Sequence, residues 1–144
     1  MSFEDIRTGP VIRYPYLWAR EAGWGETEGR KFRPSAVGVR LARSGGEDLV
    51  ILFPITTKAP ERGSFAVEIP ETEKRRASLD RDIRLWIVLE EFNEDIVGKS
   101  FFLEPEPPLG HFSKAFFLPV LREFIAQRAR SRGVSRAETA PSRK

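Results

Sequence analysis

Two polar groups at the ends of apolar segments are the residues of this chain best suited to chemistry. Arg33 and Pro34 come just before one short apolar segment, and Thr56 and Thr57 follow another, residues 50–55. An arginine guanidinium is a permanently charged, planar fork that matches two phosphate oxygens. A threonine hydroxyl can donate a hydrogen bond to a further oxygen. Together the two groups could bind a phosphate, although a strand-start arginine can also be a surface ion pair and Pro-Ile-Thr-Thr a simple turn.

Strands must position these residues, because short segments rich in β-branched and aromatic residues alternate with turn residues. A glycine-containing turn at residues 44–48 is expected to join two of the strands into a hairpin. Residues 19–30 contain three glycines and three glutamates, so we expect a long exposed loop there. The predicted strands are residues 11–18, 35–42, 49–55, 65–69 and 84–90.

One helix is expected near the end of the chain, with Pro119 at its first position. Short strands followed by a single helix favour a small curled antiparallel barrel of five to six strands, because a parallel sheet would need crossover helices. The expected fold is therefore mostly β with a C-terminal amphipathic helix. The predicted stripe of that helix is Val120, Leu121, Phe124, Ile125 and Arg128.

The composition is that of one ordinary globular domain. The 144 residues are 40% hydrophobic and 31% charged, and no apolar segment is long enough to span a membrane. The first residues lack the basic-then-apolar layout of a signal peptide, so we expect a cytoplasmic protein without membrane contacts. With no cysteine and one histidine, disulfides, thiol chemistry and the common zinc sites are excluded, and we expect no cofactor and no metal.

The basic character of the chain is concentrated at its C-terminus. The whole chain carries a net charge of +3, and residues 130–144 alone carry +4, so the preceding residues carry −1. We expect a domain of residues 1–129 followed by a basic, flexible tail. Truncation after Ala129 is accordingly expected to leave the melting temperature nearly unchanged. The alternative is an arm that contacts phosphates.

The order of these short motifs resembles the MazF/PemK family of toxin endoribonucleases. The family carries a Lys-x-Arg-Pro element, matched here by residues 31–34, and a Pro-Ile-Thr element, matched by residues 54–56. The resemblance extends from about residue 9 to residue 127, and residues 68–76 look similar to a PemK-like growth-inhibitor subgroup. It implies an SH3-like barrel with a C-terminal helix.

The resemblance also implies a function and residues that perform it. Arg33 and Thr56 match the family's catalytic arginine and threonine. The implied protein is the toxin of a type II toxin–antitoxin module, which cuts single-stranded RNA without a metal, works as a homodimer and is inhibited by a cognate antitoxin protein. Where the family commonly carries a glutamine and an arginine that hold RNA, this chain has Glu91 and Asn93. That departure favours a second interpretation, a catalytically degenerate RNA- or protein-binding module; a barrel that only mediates protein association is a third.

The group that would transfer a proton stays open at this point. RNA cleavage without a metal needs a base for the 2′-hydroxyl and an acid for the leaving oxygen. Glu26 and Glu28 lie in the segment beside Arg33 and could serve if desolvated, although loop carboxylates are more often solvated surface. His111 has a suitable ordinary pKa, yet its position between Gly110 and a helix favours packing or capping.

Other residues could bind RNA without reacting. Trp24 stands among glycines and glutamates with no core periodicity, so it could stack on an unpaired base. Tyr14, Tyr16 and Trp18 alternate, which is typical of one face of a core. The Lys-Arg-Arg sequence at residues 74–76 is typical of a solvated turn and could alternatively follow an RNA backbone. The remaining residues expected to contact RNA are Lys31, Thr57, Glu26, Glu28 and Asn93.

Overall fold

The fold is mostly β. The computed structural model describes residues 8–25, 32–42, 47–97, 103 and 107–136. None of the described helices is long and apolar enough to cross a membrane. In chain order the described elements are β1 Pro10–Tyr14, α1 Ala19–Gly23, β2 Arg33–Leu41, β3 Leu49–Thr56, β4 Ala66–Glu68, α2 Glu71–Arg76, β5 Trp86–Val88, β6 Glu91–Ile96, β7 Gly110–His111, α3 Lys114–Ala126 and β8 Arg132–Ser135.

The long strand β3 organises the sheet. Along one edge β3 pairs with β2, β2 pairs with β1, and β1 pairs with β7. Along its other edge the first half of β3 pairs with β6, and its last two residues pair with β5, which continues to β4. Every one of these pairs is antiparallel, whereas β6 and β8 pair in parallel. Over the described residues the result is an open sheet of eight strands, more than the five to six expected.

Side chains of the central strands alternate between two apolar clusters, because successive residues of a strand point to opposite faces. In β3, Ile51, Phe53 and Ile55 join the larger cluster, and Val50 and Leu52 join the smaller one. Strand β3 is therefore buried on both faces, which explains its nearly continuous apolar sequence. The smaller cluster contains Tyr14 and Tyr16, which confirms their predicted place in the core. The larger cluster contains the buried residues of α3, which are Phe117, Val120, Leu121 and Phe124.

Helix α3 begins before the proline that was expected to open it. The Ser113 hydroxyl accepts a hydrogen bond from the Phe116 N–H at 3.2 Å, which is an N-cap. Glu73 of α2 in turn accepts hydrogen bonds from the Ser113 N–H at 2.8 Å and from its hydroxyl at 2.9 Å. The helix therefore starts at Lys114 and contains Pro119. The predicted start was wrong because this cap, held by a carboxylate from another helix, fixes the first turn.

Two segments expected to be irregular are helical. Residues 19–23, the first part of the expected loop, form α1, and the Glu21 carboxylate accepts a hydrogen bond from the Trp18 N–H at 3.1 Å. Residues 71–76 form α2, in which Lys74 is buried. The Lys74 ammonium donates to the carbonyl oxygens of Arg81 at 3.2 Å and Ile83 at 2.7 Å. The buried Lys74 therefore holds α2 to the segment of residues 81–83 and is not part of a solvated turn.

The segment after residue 130 is folded, so the tail prediction is wrong for residues 130–136. Strand β8 lies there and pairs with β6. The Arg136 side chain is fully buried, and its guanidinium donates a hydrogen bond to the Pro15 carbonyl. The prediction failed because β8 is a four-residue strand that contains one apolar residue, and its place is decided by the distant β6. Residues 137–144 lie outside the described residues.

Candidate functional site

The strand register brings Arg33 and Thr56 to the same end of the sheet. In the antiparallel pair of β2 and β3, Ser35 lies opposite Pro54. Arg33 comes two residues before Ser35, and Thr56 comes two residues after Pro54, so the same register continued places the two residues across from each other. Both line one cavity of about 660 Å³. The start of β2 and the end of β3 therefore contribute to one surface.

The cavity is an open cleft with a largely polar and charged lining. It lies where the end of β3 meets β5 on one side and the segment from β1 to α1 on the other. Three cations, three carboxylates, three hydroxyls and two indole rings come together there. These lining residues are Arg20, Arg33, Lys58, Glu61, Glu90, Glu91, Thr56, Thr57, Ser64, Trp18 and Trp86.

Arg33 is a partly buried cation whose hydrogen-bonding capacity is not met by the described residues. Its guanidinium carbon lies 5.1 Å from the centroid of the Trp18 ring, a cation–π contact that orients the group. Its Nε is buried and has no hydrogen-bond partner in the described part of the chain. Burial lowers the pKa of Arg33 from its ordinary value, and the Glu21 carboxylate opposes that effect. A buried donor left unpaired costs about 1–3 kcal/mol, so this position favours an anionic ligand.

Arg20 brings a second guanidinium to the same ring. Its guanidinium carbon also lies 5.1 Å from the Trp18 centroid. The charge of Arg20 helps to lower the pKa of Arg33, which indicates that the two cations lie close together. The cleft as a whole carries as many carboxylates as cations, so it is this pair of guanidinium groups that can bind an anion. No sequence pattern pointed to Arg20, because residues 19–30 were expected to form a loop. The available signal was that Arg20 comes two residues after Trp18 and so continues the alternation that includes Trp18.

The Thr56 hydroxyl donates no hydrogen bond to the described residues. Its oxygen accepts a hydrogen bond from the Lys58 N–H at 3.1 Å, a turn contact that agrees with the structural interpretation of the Pro-Ile-Thr-Thr motif. A hydroxyl also carries one proton to donate. The turn therefore orients Thr56 without using its O–H, and the structural and chemical roles are compatible. Thr57 lines the same cavity.

Glu91, the first residue of β6, carries a carboxylate partly buried in the cavity wall. Its Oε1 accepts hydrogen bonds from the Ala19 N–H at 2.9 Å and the Tyr16 hydroxyl at 3.1 Å. Burial raises the pKa of Glu91 above its ordinary value, against the lowering effects of these two hydrogen bonds and of Arg20. A carboxyl group with a raised pKa in a cleft is a candidate for proton transfer. In the sequence, Glu91 stood out only as the residue in place of the family's glutamine.

Asn93 does not reach the cavity. Its side chain is fully buried and binds both backbone groups of Leu17, accepting from the N–H at 2.9 Å and donating to the carbonyl at 2.8 Å. Its carbonyl oxygen also lies 3.4 Å from the Arg136 guanidinium. This placement contradicts the expectation that Asn93 contacts RNA, because its amide is already used to hold the segment after β1 against β6.

The other candidate residues are apart from the cavity or outside the described residues. Trp24 caps the C-terminal end of α1 with 66% of its surface exposed, and it does not line the cavity. Its stacking role stays a prediction. His111 is an exposed residue of β7, opposite Pro10, and also lies outside the cavity lining. The expectations for Glu26, Glu28 and Lys31 fall outside the described residues.

Comparisons of the chain with protein-family models, with curated proteins and with solved structures found no match. The resemblance of residues 31–34 and 54–56 to a toxin family therefore rests on those motifs themselves.

Proposed function

We propose that the cavity binds a phosphate of single-stranded RNA and that the chain is a metal-independent endoribonuclease of the MazF/PemK type. The observation that carries this proposal is the state of the Arg33 guanidinium. The group is partly buried over Trp18, and its buried Nε has no hydrogen-bond partner among the described residues. It lies in the cavity that Thr56 also lines. A phosphate would give this cation the acceptors that it lacks. The nearby Arg20 and the free Thr56 proton add donors for the same anion.

The proposed reaction is an internal transesterification. The 2′-oxygen attacks the adjacent phosphorus, and the bond from phosphorus to the 5′-oxygen of the next nucleotide breaks. The 2′-hydroxyl loses a proton and the leaving 5′-oxygen gains one, so no further reactant is consumed. The products are a 2′,3′-cyclic phosphate and a 5′-hydroxyl. Arg33 and Arg20 would stabilise the charge that builds on the nonbridging oxygens, and Thr56 would add a neutral donor.

The shape of the site favours an unpaired strand as substrate. A cleft of about 660 Å³ has the volume of a small-molecule site, so it can admit a nucleotide but not a duplex. The backbone of an unpaired strand can bend into such a cleft, and its bases are free to stack on aromatic side chains. Trp24, which is exposed on α1, remains a candidate for that stacking.

The motif resemblance supports a wider proposal for the biological setting. The chain would be the cytoplasmic toxin of a type II toxin–antitoxin module, inhibited by a cognate antitoxin protein. Its sheet would be the SH3-like barrel of the family, and two copies would form a homodimer with RNA across the groove between them. Light scattering at tens of micromolar, roughly where weak biological dimers persist, should give the mass of a dimer. A monomer at that concentration would contradict this part of the proposal.

The test of the reaction is the chemistry of the fragment ends. The purified protein is incubated with a mixed pool of single-stranded RNA in EDTA. We expect fragments with a 2′,3′-cyclic phosphate and a 5′-hydroxyl, and we expect no cleavage at a site whose 2′-hydroxyl is replaced by hydrogen. Fragments with 5′-phosphates, or cleavage of the 2′-deoxy site, would contradict the proposed mechanism.

A catalytically degenerate, RNA-binding relative is the second candidate. The burial of Asn93 favours it. The family carries an arginine that holds RNA in this neighbourhood, whereas this chain has Asn93, which does not reach the cavity. The same incubation separates the two candidates. A wild-type protein that leaves every RNA intact, yet binds RNA with an affinity that Arg33→Ala weakens, would support the binding module.

A further inference from the structure

We infer that Glu91 is the catalytic base of the proposed reaction, with its carboxylate taking the proton from the 2′-hydroxyl. This inference rests on the proposed function and identifies the proton-transfer group that the sequence left open. It assigns chemistry to a residue at which the chain departs from the family pattern. A glutamine at this position could orient RNA but could not accept a proton.

Hydrogen bonds from described residues orient the carboxylate of Glu91 and involve one of its two oxygens. Both of its hydrogen bonds to described residues end on Oε1, where the donors are the Ala19 N–H at 2.9 Å and the Tyr16 hydroxyl at 3.1 Å. These donors lie on the segment that runs from β1 into α1, and they hold Oε1 in place. Oε2 has no hydrogen bond to the described residues and can receive a proton from a substrate in the cavity that Glu91 lines.

Two other described carboxylates line the cavity, but nothing orients them in the same way. Glu61 and Glu90 are exposed, and their carboxylates form no hydrogen bond with the described residues. A general base must be held within hydrogen-bond reach of the proton that it takes. Among the described carboxylates of the cavity, Glu91 alone is held in place by hydrogen bonds from its neighbours, so it is the one best prepared for this role.

The surroundings of Glu91 set the pH dependence that its role would produce. Burial raises its pKa most, Glu90 raises it slightly, and the Ala19 N–H, Tyr16 and Arg20 lower it. A base acts in its deprotonated form, so activity should rise as the pH passes upward through this raised pKa, above the ordinary glutamate value of about 4.3. The charged and titratable groups around Glu91 include Lys58, Glu61 and Glu90 of the cavity lining. The others are Arg20 and Glu21 of α1, Tyr16, Arg33 of β2, and Arg132, which lies opposite Glu91 in β8.

The first experiment measures kcat/KM for RNA cleavage in EDTA as a function of pH for the wild type and Glu91→Gln. The glutamine oxygen can still accept from Ala19 and Tyr16, so the fold is retained while the proton acceptor is lost. We expect kcat/KM to decrease roughly 10²- to 10⁴-fold, the usual contribution of a general base. The fall of kcat/KM at low pH, which is the acidic limb of the pH profile, should also disappear. Binding of an uncleavable 2′-deoxy-substituted RNA should stay near the wild-type value. Glu71→Gln, an exposed carboxylate on α2, is the charge-matched control and should behave as wild type.

Two further variants change the pKa of Glu91 and leave its carboxylate in place. Tyr16→Phe removes a hydrogen bond that lowers the pKa, so the acidic limb should move to higher pH. Glu90→Gln removes a negative charge that raises the pKa, so the limb should move to lower pH. A purely structural role of Glu91 would produce no such opposite shifts. These variants also decide the question if Glu91→Gln does not fold.

The outcomes separate this inference from the proposed function. If the wild type cuts RNA and Glu91→Gln cuts it equally well with the same acidic limb, Glu91 is not the base and the endoribonuclease proposal stands. If Glu26→Gln or Glu28→Gln removes the acidic limb instead, the base lies in that segment and the inference is overturned. If the wild type cuts no RNA, the proposed function and the role of Glu91 fall together.

Discussion

The guanidinium of Arg33 lies over the indole ring of Trp18, with the guanidinium carbon 5.1 Å from the ring centroid. Arg20 lies at the same distance from that ring. One aromatic side chain therefore positions both arginines of the cavity. Trp18 itself contacts the buried Tyr16 edge-on, with 5.2 Å between the ring centroids, so the two arginines are connected to the core through two aromatic residues in contact.

Replacing Trp18 should reduce activity through the two arginines. A cation–π contact contributes about 0.5–2 kcal/mol, so Trp18→Leu should lower kcat/KM for RNA cleavage by roughly 2- to 30-fold. Trp18→Phe keeps an aromatic face and should lose less. Steady-state cleavage rates of the two variants, measured with their melting temperatures, check this. Equal rates for Trp18→Leu and wild type would show that the ring does not position the cations.

Replacing Thr56 tests the hydroxyl without changing the shape of the side chain. Thr56→Val should slow cleavage by roughly two to three orders of magnitude, the usual effect of losing one donor to a developing negative charge. Thr56→Ser keeps the hydroxyl and should retain most of the rate. The change leaves the Lys58 N–H without its acceptor, but Lys58 is exposed and water can replace it. A Val variant as fast as wild type would remove Thr56 from the phosphate site.

Removal of β8 should destabilise the protein, in contrast to the dispensable tail expected from the sequence. Truncation after Arg130 deletes β8, which is one of the two partners of β6, and the buried Arg136, so we expect a melting temperature many degrees lower or no cooperative transition. Truncation after Arg136 keeps both and provides the comparison. Thermal unfolding followed by circular dichroism measures the difference. If both truncated proteins melt alike, β8 contributes little to the fold.

A point variant isolates the contribution of Arg136. Arg136→Met removes a charged donor from the Pro15 carbonyl, and hydrogen bonds of charged groups contribute about 1.5–3 kcal/mol. Arg132→Met, at an exposed position of β8, is the matched control and should change the free energy of unfolding by no more than about 0.5 kcal/mol. Urea unfolding compares the two. Equal effects would mean that burial of the Arg136 guanidinium is not stabilising.

The sequence predicted those parts of the fold that apolar alternation encodes. The long strand β3 and the buried Tyr14 were recognisable because their neighbours alternate or form continuous apolar runs. Strand β6 was not, since its sequence contains three acidic residues. One of them, Asp95, is buried and accepts a hydrogen bond from the Tyr14 hydroxyl at 2.6 Å. Such a strand depends on partners far away in the chain, and a local pattern does not record them.

The same limit applies to the candidate site. Arg33 and Thr56 were recognised because each stands in a short motif that resembles the MazF/PemK family, and the register of β2 and β3 brings them together. Arg20 and Glu91 were not recognised as members of the site. The contact that joins their segments is the hydrogen bond from the Ala19 N–H to Glu91, between residues distant in sequence. A site assembled by such tertiary contacts becomes visible only in the folded chain.

The most direct test of the account is the effect of Arg33→Ala on cleavage of a mixed single-stranded RNA pool in EDTA. Arg13→Ala is the matched control, because Arg13 is an exposed arginine of the neighbouring strand β1, stacked on Phe32 and outside the cavity lining. The account predicts that the wild type and Arg13→Ala cut the RNA, and that Arg33→Ala remains folded and cuts none. Cleavage by Arg33→Ala at the wild-type rate would contradict it.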